Sequence, residues 1–260
     1  MSAERTEALL LRATPYGEAD LVAVLLSPCH GRVAALAKGA RRSRRRFGGV
    51  LDYFNLLEVQ VRPGRSGLGR LLDADLLRTY AAVRRDVEAY RTAGQMLEIA
   101  HLGSREGAGE EGWFGLVRGG LEALDGGGDP ESLVAVFQVK ALAVLGYGLD
   151  LDRCPRCGRP YPDDGYAHRP AVRSGAAVVC RACGDPRAPA LSLGALRTLQ
   201  AALGLPPGRL GRLRVPRAIQ GELGPVLEAL LAEALGARPK SWRRWEGQSG
   251  VDRSGPPLVL

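Results

Sequence analysis

Two short cysteine motifs constrain this chain more than any other feature of its sequence. Cys154-Pro-Arg-Cys157-Gly and Cys180-Arg-Ala-Cys183-Gly both follow the pattern CxxCG, with 22 residues between the second and third cysteines. Each CxxC turn brings two thiolates close together, and four thiolates satisfy the tetrahedral coordination that Zn²⁺ prefers. The glycine after each pair can adopt the left-handed conformation that turns backbone N–H groups toward the sulfur atoms. The spacing therefore predicts a four-cysteine zinc module whose ligands are Cys154, Cys157, Cys180 and Cys183.

The zinc of this module is expected to be structural, with one ion per chain. Four thiolates fill the coordination sphere and leave no position for a catalytic water. A redox CxxC motif needs a strand–helix context of the thioredoxin kind, and the residues before Cys154 do not offer one. The cysteine count is five, and no signal-peptide or membrane-spanning pattern is visible, so a disulfide framework is not expected. We therefore expect a reducing, cytoplasmic location and no membrane partner.

The first part of the chain has the pattern of a small β-barrel. Short apolar runs alternate with turns rich in proline and glycine, which predicts five strands. The predicted strands are Glu7–Arg12, Asp20–Leu26, Arg32–Lys38, Tyr53–Arg62 and Gly69–Ala74. A closed barrel of the OB type accommodates five short strands, although SH3-like barrels have a similar pattern. Residues 1–78 are predicted to form an OB-fold domain that binds nucleic acid.

Beyond residue 78 the apolar residues recur at helical spacing. Asp129-Pro130 is typical of an N-cap followed by proline at the first helical position, and it opens one of the predicted helices. The predicted helical stretches are Val83–Ala100, Trp113–Leu124, Glu131–Leu145, Leu193–Leu203 and Pro216–Leu235. The chain is therefore expected to be an α+β protein, with an N-terminal five-stranded OB-fold barrel followed by an α-helical domain that carries an inserted four-cysteine zinc module. The expected divisions are the barrel at 1–78, helical parts at 79–150 and 189–246, the zinc module at 151–188, and a tail at 247–260.

Charge is distributed unevenly along the 260 residues, whose net charge is +8. Residues 1–80 carry 13 basic and 8 acidic side chains, residues 81–150 carry 6 and 11, and residues 151–260 carry 17 and 9. A basic excess favours polyanionic partners, so the acidic middle segment is not expected to be the nucleic-acid surface. Arginine supplies 33 of the 36 cations, which is also a compositional bias, so net charge alone does not identify a partner.

A dense basic loop lies between two of the predicted strands. The ten residues from Lys38 to Phe47 contain six cations, namely Lys38, Arg41, Arg42, Arg44, Arg45 and Arg46. Like charges at this density repel one another unless a polyanion relieves them, and phosphates do so while releasing counterions. The loop predicts binding to single-stranded nucleic acid with little sequence preference, and a solvated arginine loop is the alternative.

Aromatic residues near this loop are candidates for stacking on bases. Phe47, Tyr53 and Phe54 follow it in the sequence. Phe54 is better explained as barrel core, while core and stacking are equally good explanations for Phe47.

A second basic cluster, from Arg238 to Trp245, contains two tryptophans beside arginines. Such residues suit stacking or peptide binding, and they equally suit a helix pinned by two buried rings. Four further arginines are predicted to form a solvated face: Arg209, Arg212, Arg214 and Arg217.

Catalytic motifs are not found in the sequence. A Walker A loop needs lysine after glycine, and none of Lys38, Lys140 and Lys240 follows a glycine. There is no GxSxG or HExxH motif and no convincing GxGxxG motif after a strand. The chain is therefore not expected to be an enzyme. An RNA-binding or transcription-associated OB and zinc-ribbon protein is the main alternative function, and an accessory enzyme of the nuclease or ligase kind is a weaker one.

Several short stretches together resemble the bacterial DNA-repair family RecO. Tyr16-Gly-Glu-Ala-Asp-Leu, Gly31-Arg-Val and Leu36-Ala-Lys-Gly-Ala-Arg-Arg are similar to the opening of that family. Leu145-Gly-Tyr-Gly, the two CxxCG motifs and Arg238-Pro-Lys-Ser are similar to its later part. No single stretch is specific, but their joint order over roughly residues 5–245 is.

The resemblance implies a recombination mediator with an OB fold, a helical body and, in many members, a zinc module. It implies binding of single- and double-stranded DNA, annealing of complementary strands, and contact with the C-terminal tail of the single-strand-binding protein SSB. Together with RecR, such a mediator helps to load RecA onto SSB-coated DNA without hydrolysing ATP. The resemblance carries DNA contact to Lys38, Arg41 and Arg42, whereas Arg44, Arg45 and Arg46 extend it on charge alone. It assigns no role to residues 103–112 or to the tail.

Overall fold

The computed structural model describes most of the chain, in two compact units. The described residues are 3–42, 47, 49–64, 67–107, 109, 111–147, 149, 151–161, 170–173, 177–180, 182–184 and 191–242. The first unit contains the strands up to residue 81 together with the described parts of 93–114 and 239–242. The second unit contains the described parts of 82–92 and 115–238.

Five strands close into a barrel in the first unit. They are β1 (Glu4–Tyr16), β2 (Asp20–Ser27), β3 (Gly31–Ala37), β4 (Asn55–Gly64) and β5 (Gly67–Thr79). Their order around the barrel is β1-β2-β3-β5-β4, and β4 pairs with β1 to complete the ring. Closure removes the free edges that an open sheet would expose to other chains. The predicted five-stranded barrel is confirmed, although β1 and β5 extend several residues beyond the predicted runs.

Alternation along each strand decides which side chains fill the barrel. In β3, Val33, Ala35 and Ala37 are buried in the core while the residues between them are only half-buried. Alanine occurs on the inner face of four strands, and the space that it leaves is filled by larger side chains such as Phe47, which is 1% exposed. Because Ala37 faces inward, the period of two turns the next residue, Lys38, toward solvent.

Helices make up most of the second unit and part of the first. They are α1 (Val87–Gly103), α2 (Glu111–Asp125), α3 (Pro130–Val144), α4 (Leu193–Gly204) and α5 (Arg217–Leu235). The first helix begins at Val87 and not near Val83 as predicted, because residues 81–85 form turns. Short 3₁₀ helices cover Pro207–Arg212 and Lys240–Trp242, and a hairpin is formed by β6 (Pro170–Arg173) and β7 (Ala177–Cys180). Within the described ranges, no helix has the length and apolar content needed to cross a bilayer.

Helix α3 is the central element of the second unit. Asp129 caps it, because its carboxylate accepts hydrogen bonds from the backbone N–H and the hydroxyl of Ser132 at 2.9 and 2.5 Å. Pro130 occupies the first turn, where its missing N–H has no intrahelical partner to lose. Most of the following residues, from Ser132 to Leu142, are buried, and α3 packs against α4 and α5. The start of this helix was therefore predicted correctly from its Asp-Pro pair.

Candidate metal centre and nucleic-acid interface

The four cysteines of the two CxxCG motifs lie together in the second unit. The sulfur atoms of Cys154, Cys157, Cys180 and Cys183 are all within 4.8 Å of one another. The sulfurs of Cys157 and Cys180 are 3.6 Å apart. A tetrahedral metal centre with metal–sulfur bonds of about 2.3 Å has sulfur–sulfur edges of about 3.8 Å. The cluster therefore has the donor type and the spacing to hold a metal ion.

Backbone hydrogen bonds shape the two turns that present these sulfurs. The N–H of Cys180 donates to the sulfur of Cys154 at 3.3 Å, which links one turn to the other. In the first turn, the N–H of Gly158 donates to the carbonyl oxygen of Cys154 at 2.8 Å, and Gly158 has a φ of +71°. The second turn has a matching bond from the N–H of Gly184 to the carbonyl oxygen of Cys180 at 3.0 Å. Gly158 is left-handed as expected, but the N–H groups of both glycines donate to carbonyl oxygens and not to the sulfur atoms.

The environment of the cluster favours one thiolate and opposes two others. Burial opposes ionisation of Cys154, but N–H groups of Cys180, Cys157 and Arg156 outweigh it and lower the pKa of Cys154 to about 6. The contact with Cys180, assisted by burial, raises the pKa of Cys183 to about 12. Burial is also the main cause that raises the pKa of Cys180. A divalent metal bound among these sulfurs would deprotonate the remaining thiols, because a coordinating thiol loses its proton.

Three of the six predicted DNA-contact residues lie in the described part of the chain. Lys38, Arg41 and Arg42 are exposed in the turn that follows β3, and we call residues 38–42 the basic turn. Arg44, Arg45 and Arg46 lie outside the described residues. The turn is held against the β1–β2 hairpin, because the N–H of Gly39 donates to the carboxylate of Asp20 at 2.7 Å and that of Arg41 donates to the carbonyl of Ala19 at 3.0 Å. A fixed backbone therefore presents these cations to solvent.

Among the described residues, Glu18 is the acidic residue that contacts the side chains of Arg41 and Arg42. Arg42 lies 3.4 Å from a carboxylate oxygen of Glu18, and the two side chains are 70% and 91% exposed. Arg41 donates to the backbone carbonyl of Glu18 at 3.3 Å. An ion pair this exposed contributes less than about 1 kcal/mol and is easily exchanged for another anion. The guanidinium groups therefore remain accessible to phosphate.

The aromatic residues that follow the basic loop do not present free faces. Phe47 is 1% exposed and Phe54 is 2% exposed, and Phe47 belongs to the barrel core. Tyr53 packs partly against that core, and its hydroxyl oxygen accepts a hydrogen bond from the N–H of Ala13 at 3.1 Å. The question left open for Phe47 is thus decided in favour of core packing, and the expectation that these three rings stack on bases is not supported by their placement.

The second basic cluster is anchored at its start in the first unit. Trp242 is buried, and the N–H groups of Lys240 and Ser241 donate to the two carboxylate oxygens of Glu98 at 2.8 and 2.9 Å. For Trp242, packing is therefore the better explanation than stacking on a ligand. Arg243, Arg244 and Trp245 lie outside the described residues.

Two arginines that sequence reasoning missed lie beside the basic turn on the outer face of the barrel. Arg70 pairs with Leu36 of β3 on one side and with Arg62 of β4 on the other. Lys38 directly follows Ala37, the last residue of β3, and Ala37 pairs with Leu71, the neighbour of Arg70 in β5. Arg62 and Arg70 are exposed, and within the described ranges neither has an ion pair. We call them the Arg62–Arg70 pair.

The Arg62–Arg70 pair is unfavourable without an anion, because like charges directly opposite each other destabilise a sheet. The sequence carries one weak indication of it. Arg62 follows the inward-facing Val61 and Arg70 precedes the inward-facing Leu71, so alternation places both arginines outside. Their juxtaposition with Lys38 depends on strand register, which the sequence does not reveal.

Comparison with known proteins identifies the family of the chain. Residues 1–80 match the family described as Recombination protein O N terminal, and residues 84–243 match Recombination protein O C terminal. The chain belongs to the RecO family. The DNA repair protein RecO of Geobacter sulfurreducens is 39% identical over 237 residues, which cover 90% of this chain and 93% of that protein. The DNA repair protein RecO of Frankia casuarinae is 38% identical over 202 residues, covering 76% and 81%.

Membership in the RecO family confirms the resemblance drawn from the short sequence stretches. The two family matches meet between residues 80 and 84, just after the last barrel strand ends at Thr79. The family is named for recombination, and its curated members are named for DNA repair. The prediction that the chain is a DNA-repair protein of this family is therefore confirmed.

Proposed function

We propose that this RecO-family protein is a recombination mediator that binds single- and double-stranded DNA and anneals complementary strands. The observation that carries the proposal is the basic turn, exposed on a rigid barrel and adjacent to the Arg62–Arg70 pair. Phosphates that contact these cations release condensed counterions, which supplies affinity without sequence preference. Lys38, Arg41 and Arg42 are the proposed contacts within the described turn, and Arg44, Arg45 and Arg46 are proposed to extend it.

Annealing places two opposing demands on such a surface. Cations must screen two polyanionic strands that approach each other, while the base edges must stay free to pair. The exposed guanidinium and ammonium groups meet the first demand. The burial of Phe47 and Phe54 supports the second, because no deep aromatic slot at these residues can hold a base. A protein that hydrogen-bonded the Watson–Crick edges would block the exchange of bases into a duplex.

The proposed partners follow from family membership. We propose that the protein engages the C-terminal tail of SSB and acts with RecR to load RecA onto SSB-coated single strands in the bacterial cytoplasm. No Walker A pattern occurs in the sequence, which is consistent with loading that does not consume ATP at this chain. The proposed domains are the DNA-binding barrel at 1–78, the helical parts at 79–150 and 189–246, the zinc module at 151–188 and the tail at 247–260.

We propose that the cysteine cluster holds one structural Zn²⁺ per chain. Four sulfur donors at near-tetrahedral spacing support zinc, and they leave no open coordination position for substrate. The ion would join the turn at Cys154–Gly158 to the end of β7 at Cys180, two segments that are distant in sequence. Its role is to stabilise this module, since structural zinc contributes directly to the free energy of folding.

An annealing assay without ATP on SSB-coated complementary strands tests the proposed function. The test variant carries Lys38→Glu and Arg42→Glu, and the matched control carries Arg209→Glu and Arg212→Glu, the same change of charge in the second unit. We expect the test variant to anneal at least about tenfold more slowly and the control to match the wild type. With five or six phosphate contacts, the slope of log K against log salt on single strands should be about −4 for the wild type.

Three outcomes would contradict this proposal. Wild-type annealing rates in a folded Lys38→Glu, Arg42→Glu variant would remove the basic turn from the site. A preference for structured RNA over single-stranded DNA in direct competition would select the RNA-binding alternative. A change in the covalent structure of DNA that depends on ATP or on added metal would select an accessory enzyme.

A further inference from the structure

Tyr16 is a large aromatic residue that the barrel leaves in solvent. It ends strand β1, and 59% of it is exposed, whereas Phe47 and Phe54 are almost fully buried. Tyr16 is followed by the turn 17–19, and Gly17 has a φ of +59° with open space around it. A left-handed glycine fixes this short hairpin, so the ring is held at its tip by a defined backbone.

Strand register brings Tyr16 next to the basic turn. Tyr16 pairs with Asp20 of β2, and opposite residues of an antiparallel pair place their side chains on the same face. The next pair, Leu21 with Ala37, faces the core, so one step further Lys38 lies beside Asp20 on the outer face. Tyr16 at the end of β1, Asp20 at the start of β2 and Lys38 just after β3 therefore form a row, with Tyr16 about 10 Å, or two strand spacings, from Lys38.

The charges around Tyr16 favour an anionic ligand with an aromatic part. Asp20 is engaged by the N–H of Gly39, and Glu18 is paired with Arg42. The cations of the turn exceed these two carboxylates, and no hydrogen bond of the Tyr16 hydroxyl occurs among the described residues. An exposed ring beside phosphate-binding groups is the arrangement with which single-stranded nucleic acids are bound.

We propose that Tyr16 stacks on an unpaired base of the single strand whose phosphates contact the basic turn. The inference rests on the proposed function and adds to it a specific base-binding residue. Stacking uses the face of the base and leaves its Watson–Crick edge exposed, so it holds the strand without blocking pairing. Stacking also makes the protein prefer single strands over duplex, since bases within a duplex are already stacked on each other.

Tyr16→Ala, Tyr16→Phe and Leu68→Ala test this inference. Leu68 is a matched control because it is another exposed apolar residue of the barrel, at 50% exposure. Binding is measured by fluorescence anisotropy with three oligonucleotides: a single strand, the same strand with abasic sites, and a duplex. Thermal unfolding of each variant verifies the fold.

Tyr16→Ala is expected to weaken binding to the single strand by roughly 5- to 100-fold, the usual range for loss of one base stack. The slope of log K against log salt should not change, because no phosphate contact is lost. Tyr16→Phe and Leu68→Ala should bind like the wild type. The abasic strand should bind the wild type more weakly, and Tyr16→Ala should cause no further loss on it or on the duplex.

The outcomes distinguish this inference from the proposed function. If the wild type and Tyr16→Ala bind the single strand equally well, the role of Tyr16 is overturned while the proposed function stands. An equal loss on the normal and abasic strands would do the same, because the residue would then act without a base. A wild-type protein that binds none of the three oligonucleotides would overturn the proposed function as well.

Discussion

Two arginine-rich surfaces of this molecule differ in how their charges are balanced. On the outer face of the barrel, the Arg62–Arg70 pair has no ion pair among the described residues. In the second unit, two arginines around the start of α5 each have a carboxylate nearby. Arg214 lies 3.6 Å from Asp129, and Arg217 lies 3.7 Å from Glu131.

The difference shows that the net charge of a region does not reveal how its individual arginines are balanced. Residues 151–260 have a larger basic excess than residues 1–80. Acidic residues favour the N-terminus of a helix, and the first turn of α3 with its cap supplies Asp129 and Glu131 to Arg214 and Arg217. In the barrel, by contrast, strand register sets one arginine opposite another. The fold therefore leaves one arginine pair without carboxylates in the region with the smaller net charge, and it places carboxylates beside Arg214 and Arg217 in the other region.

The largest expected effect comes from removing a cysteine ligand, which should affect the second unit and leave the barrel of the first unit unchanged. Cys180→Ser should abolish binding of the proposed zinc, whose coordination contributes on the order of 10 kcal/mol in small structural sites. Metal analysis should fall from one zinc per chain to none, and hydrogen exchange at Cys154–Gly158 should accelerate. Single-strand affinity, assigned to the barrel, should change less than about twofold.

Cys29→Ser is the matched control for this prediction, because Cys29 lies outside the cluster and should retain the zinc. Full zinc content in Cys180→Ser would contradict the assignment of the ligands. A collapse of DNA affinity in that variant, with an intact barrel, would mean that the module takes part in binding.

The next effect compares the two arginine surfaces directly. Arg62→Glu with Arg70→Glu should weaken single-strand binding by about tenfold or more and make the salt slope shallower by about 0.7 for each lost phosphate contact. Arg214→Glu with Arg217→Glu makes the same change of charge where carboxylates already balance the arginines, and it should leave both quantities unchanged. Equal losses from the two double variants would show that net charge alone determines affinity.

Patterns that are local in sequence predicted much of this fold. Alternation located all five strands, the Asp129-Pro130 pair located the start of α3, and the CxxCG spacing brought four cysteines into one cluster. Each of these depends on residues a few positions apart. Strand ends were missed because the last residues of β1 and β5 are exposed, so they lack the alternation that marks a half-buried strand.

The surface features that depend on register were not predictable in the same way. The contact of Leu36 with Arg70 joins residues that are far apart in sequence through a parallel pairing, and only closure of the barrel creates it. The exposure of Tyr16 and the burial of Phe47 are likewise decided by tertiary packing. Proximity in sequence to the arginines made Phe47 a candidate for stacking, whereas a hairpin tip brings Tyr16 close to the basic turn.

A smaller effect concerns the acidic residue that balances the second surface. Asp129→Ala should lower the free energy of unfolding by about 1 kcal/mol, the usual cost of losing an N-cap, and leave DNA binding unchanged. The Ser132 hydroxyl holds the pKa of Asp129 below its ordinary value of 3.8. A lowered pKa in the folded state means that this stabilisation is complete above pH 3.8 and is lost as the pH falls below it.

Denaturant unfolding between about pH 3 and pH 7 measures this dependence. Asp129→Asn is the control, because asparagine caps a helix but does not titrate. The difference in stability between wild type and Asp129→Asn should shrink as the pH falls below about 4. A difference that stays constant across this range would mean that the carboxylate charge does not stabilise the helix.

The smallest expected effect tests whether Glu18, the carboxylate paired with Arg42, competes with DNA. Glu18→Gln removes the partner of Arg42 and should raise single-strand affinity about two- to fivefold at low salt, the range for an exposed ion pair. Glu88→Gln is the matched control, because Glu88 pairs with Arg91 in the second unit at 3.1 Å and should not change affinity. A lower affinity in Glu18→Gln would reverse the interpretation: Glu18 would then order the turn for DNA and not compete with it. The gain should vanish as salt screens both the carboxylate and the phosphates.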